Sequence, residues 1–197
     1  MGLTIHYSGR FNPNSSLSAM IEEVRDIAEL YQWKFKIFET EFPAGETGKE
    51  EYNQKIYGIC YTPPECETVW ISFLSNGEMS SPMHLDFFGK KENQVEQPYL
   101  YMLSTKTQYA GIDIHKLIIH LFKYLEGKFL QQFTVMDEGH YWETGDEKLL
   151  SDTFKEYTEL IEQFGTSLEI YPMNKDESFE AYFERLIKQM QSKRKEK

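Results

Sequence analysis

Between residues 99 and 136 an apolar run, a stripe of helical period and a second apolar run follow one another, and this succession constrains the fold more than any other stretch. Residues 99–104 and 133–136 have strand character, and 112–126 set Ile114, Ile118, Leu121 and Leu125 on one helical face, with Gly127 standing where a left-handed cap would end a helix. Two strands of one sheet joined by a crossover helix run parallel, so the loops after them emerge at the same end, the end at which ligands usually bind. Those loops are 105–111 and 137–146.

The first loop carries Lys106, Gln108 and Tyr109; the second carries Asp137, Glu138, His140, Tyr141, Trp142 and Glu143. His115, at the edge of the helical stripe in its first turn, faces the same region, whereas His120 falls beside Lys116 and Lys123 on the solvated side. The candidate ligand-binding set is therefore Lys106, Gln108, Tyr109, His115, Asp137, Glu138, His140, Trp142 and Glu143, a polar-aromatic cleft. Aromatic residues with polar tips provide an apolar surface and a handle together, whether for a small molecule or for a protein partner. His115, His140 and the three carboxylates also have the ligand types of a divalent metal site, which keeps a metal-assisted hydrolase as an alternative. The spacing matches no HExxH, and the chain has no GxSxG, P-loop or GxGxxG, so neither a catalytic residue nor a cofactor is assigned.

The rest of the chain reads as further strands and helices of one α+β domain over residues 1–197. Leu3, Ile5 and Tyr7 alternate as a strand, and Asn14, Ser15 or Ser16 caps a helix whose apolar stripe is Leu17, Met20, Ile21, Val24, Ile27, Ala28 and Tyr31. A strand over 34–39 precedes a Gly- and Glu-rich loop; 56–61 and 69–74 form a hairpin around Pro63-Pro64; Ser75-Asn76-Gly77 turns the chain again. Residues 78–98 have no clear period. Helices over 147–164, ending at Gly165, and 177–192 close the chain, with residues 193–197 a frayed basic tail. The expectation is a mixed sheet of about six strands covered by about four helices. Leu3, Ile21, Val24 and Ala28 align with Leu100, Ile118, Leu121 and Leu125 at an offset of 97 residues, which leaves open a fold built on two β-α-β units.

Composition narrows the partners. With 21 basic against 32 acidic residues the net charge is −11, so the average field repels a nucleic-acid backbone or an anionic membrane, and a basic protein is a candidate partner. An acidic, inhibitor-like interaction protein is thus a further alternative. No apolar run approaches the roughly 18 residues of a membrane span, the start has no signal-like apolar region, and Cys60 and Cys66 read as reduced thiols, all of which fit a cytoplasmic location.

Three segments, Gly2 to Ser8 (GLTIHYS), Thr105 to Gly111 (TKTQYAG) and Asp137 to Glu143 (DEGHYWE), resemble in sequence and order an uncharacterised family of bacterial proteins. The resemblance implies a bacterial cytoplasmic protein and brings no reaction with it.

Overall fold

A computed structural model describes residues 2–89 and 95–195, the last six by their backbone alone. Among them are six strands, six α-helices and a 3-10 turn, arranged as an α+β fold with two three-stranded antiparallel sheets. In the first sheet β1 (Thr4–Phe11) lies between β5 (Leu103–Lys106) and β6 (Leu130–Asp137); in the second β3 (Tyr57–Thr62) lies between β2 (Lys34–Ile37) and β4 (Val69–Phe73). Neither sheet is mixed. β5 and β6 do run in the same direction, because both are antiparallel to β1, which is inserted between them. The two β-α-β units are not found: β1 and β2, which flank the first helix, belong to different sheets, so the aligned apolar positions reflect amphipathic helices of similar length.

Helix α1 (Leu17–Leu30) starts where the Ser16 hydroxyl accepts the backbone N–H of Ala19, and its stripe packs against β2 and β3. Helix α3 (Ile112–Lys128) connects β5 to β6 and buries Ile118, Ile119, Leu121, Phe122 and Leu125. The helices touch where Glu23 takes hydrogen bonds from the Tyr124 hydroxyl and Lys128. One core runs through both sheets and includes Ile5, Tyr7, Met20, Val24, Ile59, Ile71 and Phe122. The sheets are stitched by the segment after β4, whose Met79 N–H bonds Gly9 while Ser80 N–H bonds Ser72, and by the Trp70 N–H donating to the buried Tyr7 hydroxyl.

Several elements differ from the sequence reading for identifiable reasons. The strand over 99–104 is displaced: Gln97–Tyr101 forms the 3-10 turn, with Pro98 in its first turn, and the strand starts only at Leu103. Helix α2 (Pro82–Phe88), capped by Ser81, and α4 (Tyr141–Thr144) are too short to show a period. Gly127 lies inside the last turn of α3, whose cap is Phe129, and α5 (Glu147–Ile170) continues through Gly165, packed against α6 (Phe179–Lys195) with Phe164 stacked on Phe183. Residues 193–195, read as part of a frayed tail, form the end of α6; residues 196–197 lie outside the described residues.

The phase of α3 gives a direct stability contrast. Leu121 is 6% exposed and His120 is exposed, so Leu121→Ala is expected to cost about 2 to 5 kcal/mol and His120→Ala no more than about 0.5 kcal/mol. Equal urea midpoints for the two variants would contradict this packing.

Candidate functional site

Register brings the two predicted loops together. Thr4 pairs with Lys106 at the end of β5, and Ile5 pairs with Asp137 at the end of β6, so both following loops lie beside the start of β1. Gln108 Oε1 accepts the N–H of Leu3 at 2.9 Å, and Glu138 Oε2 accepts that of Thr4 at 2.8 Å. The loops thus close over the first residues of β1 as well as over each other.

At their meeting point lies a buried polar knot rather than an open cleft. His115, Thr107 and Asp137 are 0%, 0% and 2% exposed. Thr107 Oγ1 is 2.8 Å from His115 Nδ1, and His115 Nε2 is 3.1 Å from Asp137 Oδ1, an ion-pair contact without the alignment of a full hydrogen bond. A carboxylate offers only acceptors, so the Nε2 edge of the ring can meet Asp137 only as a donor, while Thr107 Oγ1, which donates to the Leu3 carbonyl at 3.3 Å, lies against Nδ1. Asp137 also accepts the backbone N–H of Gly139 at 2.7 Å, of Tyr141 at 2.8 Å and of Trp142 at 3.0 Å, which holds the loop and the start of α4. Burial acts to raise its pKa, but His115 and these N–H groups outweigh burial and hold the carboxyl below its ordinary value. Gly139 is required by this closeness: a Cβ there would come within 2.7 Å of Leu150, 3.0 Å of His115 Nε2 and 3.1 Å of Asp137 Oδ1.

A hydroxyl, an imidazole and a carboxylate in a row is the order that activates a nucleophile. Here the edge of the imidazole meets the Phe154 ring, and Thr107 also contacts the Leu3 carbonyl, so all three groups serve the packing and none faces a space a substrate could enter. Gln108, 6% exposed, is likewise part of the interior, with Nε2 near Thr158 Oγ1.

The remaining predicted residues lie around the knot and do not converge. Lys106 reaches over the ring of Tyr109, which is 64% exposed. His140 is exposed on a left-handed turn, Glu143 is exposed in α4, and Glu138 lies 3.9 Å from His6 Nε2. Trp142 packs edge-on against Phe133 and beneath Lys123, a structural use of its ring. Among the described residues no group of three or more His, Cys, Asp or Glu comes close enough to hold a metal ion. Both thiols are free, and burial pushes the pKa of Cys66 up to about 12, which keeps it protonated and unreactive near neutrality.

Sequence reasoning missed Thr107, although it is in phase with Leu103 and Thr105 on the inward side, as Asp137 is with Phe133. It also missed the arm formed by α5 and α6. The first turns of α5 bury Leu150 and Phe154 in the core; the rest pairs with α6, which buries Tyr182 and Leu186. Arg185 forks onto both oxygens of Glu177 at 2.8 and 2.7 Å and donates to the Pro172 carbonyl, fixing the turn between the helices. Those hydrogen bonds from Arg185 pull the pKa of Glu177 down to about 2. On one shoulder of the arm Phe179, Phe183 and Ile187 follow at intervals of four, with Phe179 68% and Ile187 48% exposed, and Phe183 stacks on Phe164 across the seam. In comparisons with known proteins, no family model, no curated protein and no solved structure matches this chain.

Proposed function

We propose that this chain acts by binding a protein, as an acidic interaction domain of the bacterial cytoplasm, and that the arm of α5 and α6 accepts a cationic amphipathic helix. The observation that carries the reading is the apolar shoulder of Phe179, Phe183 and Ile187 on a two-helix arm that has no third layer among the described residues. Two helices bury only one seam, and a third lying beside it would cover the remaining apolar positions through its own i, i+3, i+4 face. Charge selects that partner: Glu180 and Glu184 follow Phe179 and Phe183 directly in α6, in a chain whose net charge is −11. Reduced Cys60 and Cys66 accord with a reducing compartment, and no helix of the described residues is long and apolar enough to cross a membrane.

The test uses a synthetic Leu/Lys amphipathic helical peptide and a scrambled peptide of the same composition, both followed by fluorescence anisotropy. The amphipathic peptide is expected to bind with a micromolar Kd that weakens with salt, and the scrambled one at least roughly tenfold more weakly. Phe179→Ser with Ile187→Ser should abolish the difference without lowering the melting temperature. Equal binding of the two peptides, or sedimentation showing that a second copy of the chain already covers the shoulder, would overturn the proposal.

A further inference from the structure

Outside the predicted site, four segments enclose a pocket of about 450 Å³ lined by Arg10 of β1, Gly48, Lys49 and Glu50, Asn76 and Glu78 of the turn after β4, and the 3-10 residues Gln97, Pro98 and Tyr101. Its construction is specific. The N–H of Gly48 bonds the Asn76 carbonyl at 2.9 Å, joining the loop to the turn, and Arg10 and Glu78 pair through their backbones as well as by Nε to Oε1 at 3.2 Å. Asn76 is 3% exposed, and its Oδ1 is occupied by the Glu78 N–H at 3.1 Å, so its amide NH2 is the group left to a ligand. Apart from its ion pair with Glu78, the Arg10 side chain has no hydrogen bond to another described residue.

We infer that this pocket binds a free amino acid, or a small zwitterion of the same kind, with Arg10 and Asn76 holding the carboxylate and Glu78 the ammonium. The charges decide the class. Lys49 is already bonded to Glu46 at 2.8 Å and Glu50 is exposed, so of the four charged groups in the lining the more buried pair, Arg10 and Glu78, is what faces a ligand side by side. A phosphate or other dianion would meet Glu78 unfavourably, and a simple amine would meet Arg10; a ligand carrying both charges answers both. The guanidinium fork matches a carboxylate in two parallel hydrogen bonds. Burial acts to raise the Glu78 carboxyl against the lowering effect of Arg10, an imbalance that a ligand ammonium would relieve. The Pro98 and Tyr101 faces are left for the ligand's side chain, and the volume is within the usual range for small-molecule sites.

The experiment is a nitrogen-15 NMR titration of the full chain with each of the common L-amino acids at up to about 10 mM, a concentration that detects even millimolar affinity. At least one should shift the Arg10 Nε–H and Asn76 side-chain NH2 resonances. Its methyl ester and its N-acetyl derivative, each lacking one charge, should bind at least roughly tenfold more weakly. Arg10→Gln should remove the shifts; because Arg10 also supports the turn, Asn76→Asp, which keeps the acceptor for the Glu78 N–H and replaces the NH2, is measured beside it and should weaken binding in a protein with unchanged melting temperature. Absence of any shift at these groups across the panel overturns the inference, as does equal binding of the ester or the N-acetyl form.

Discussion

Asp137→Ala is expected to destabilise the protein by roughly 3 to 5 kcal/mol at pH 7, on the scale seen when one partner of a buried charged pair is removed. The carboxylate holds three backbone N–H groups and faces His115 Nε2, so its loss orphans four donors in a buried region. The same group sets part of the acid limit. Its folded pKa is lowered from 3.8, so its contribution is complete above the unfolded carboxylate value and disappears as pH falls through the lower folded value. Urea titrations at neutral pH and across the range below about pH 4 should therefore show wild type losing stability on acidification, and Asp137→Asn, already weakened at neutral pH, losing less. Glu143→Gln, at an exposed position, is the control and should leave both measurements within about 0.5 kcal/mol. A wild-type midpoint unchanged by Asp137→Ala would remove the knot from the account of what holds the loops.

Gly58→Ala should also cost roughly 2 to 4 kcal/mol, from a single added methyl group. Gly58 has φ +115°, and a Cβ there would stand 2.4 Å from the Ile71 carbonyl oxygen and 3.1 Å from Ser72 Cα, both backbone of the neighbouring strand. The clash therefore cannot be relieved by a rotamer change. β3 would have to move away from β4 and release the bonds that its Gly58 makes with Phe38 and Glu39 on the other side. Denaturant unfolding of this variant against Gly127→Ala, a helical glycine whose added Cβ meets nothing within 4 Å, isolates the effect. The latter should be neutral or stabilising by up to about 1 kcal/mol. Similar midpoints for the two would refute the steric argument.

What could be read from the chain alone divides along physical lines. A cap among Asn14, Ser15 and Ser16, the α1 stripe as far as Ala28 though not the exposed Tyr31, the start of α3 at Ile112 and the hairpin around Pro63-Pro64 were legible because a cap, a period and a turn are local signals. The meeting of the two loops was legible too: β5 and β6 keep the same direction even with β1 inserted between them. That insertion, and the division into two sheets, rest on pairings across more than a hundred residues, for which the sequence has no local mark. The site reading treated polar loop residues as solvent-facing. Asp137 and Thr107 instead continue the inward phase of their strands, and the chain satisfies them internally. Helix stops at Gly127 and Gly165 failed because a glycine ends a helix only where packing stops as well.

The place of β1 also orders events in time. Its edges are occupied by strands that lie roughly a hundred residues or more further along the chain, Thr4 pairing with Lys106 and Ile5 with Asp137, whereas β2, β3 and β4 pair with near neighbours in the chain. Closing such long loops is entropically unfavourable until the apolar contacts of α3 repay it, so the second sheet with α1 can form early while the first waits. During synthesis β1 emerges before both of its partners, so one edge has no strand to pair with until residue 106 has been made and the other until residue 137. Its alternating polar positions, Thr4, His6, Ser8 and Arg10, are then what keeps an open, strand-forming segment from joining the wrong neighbour.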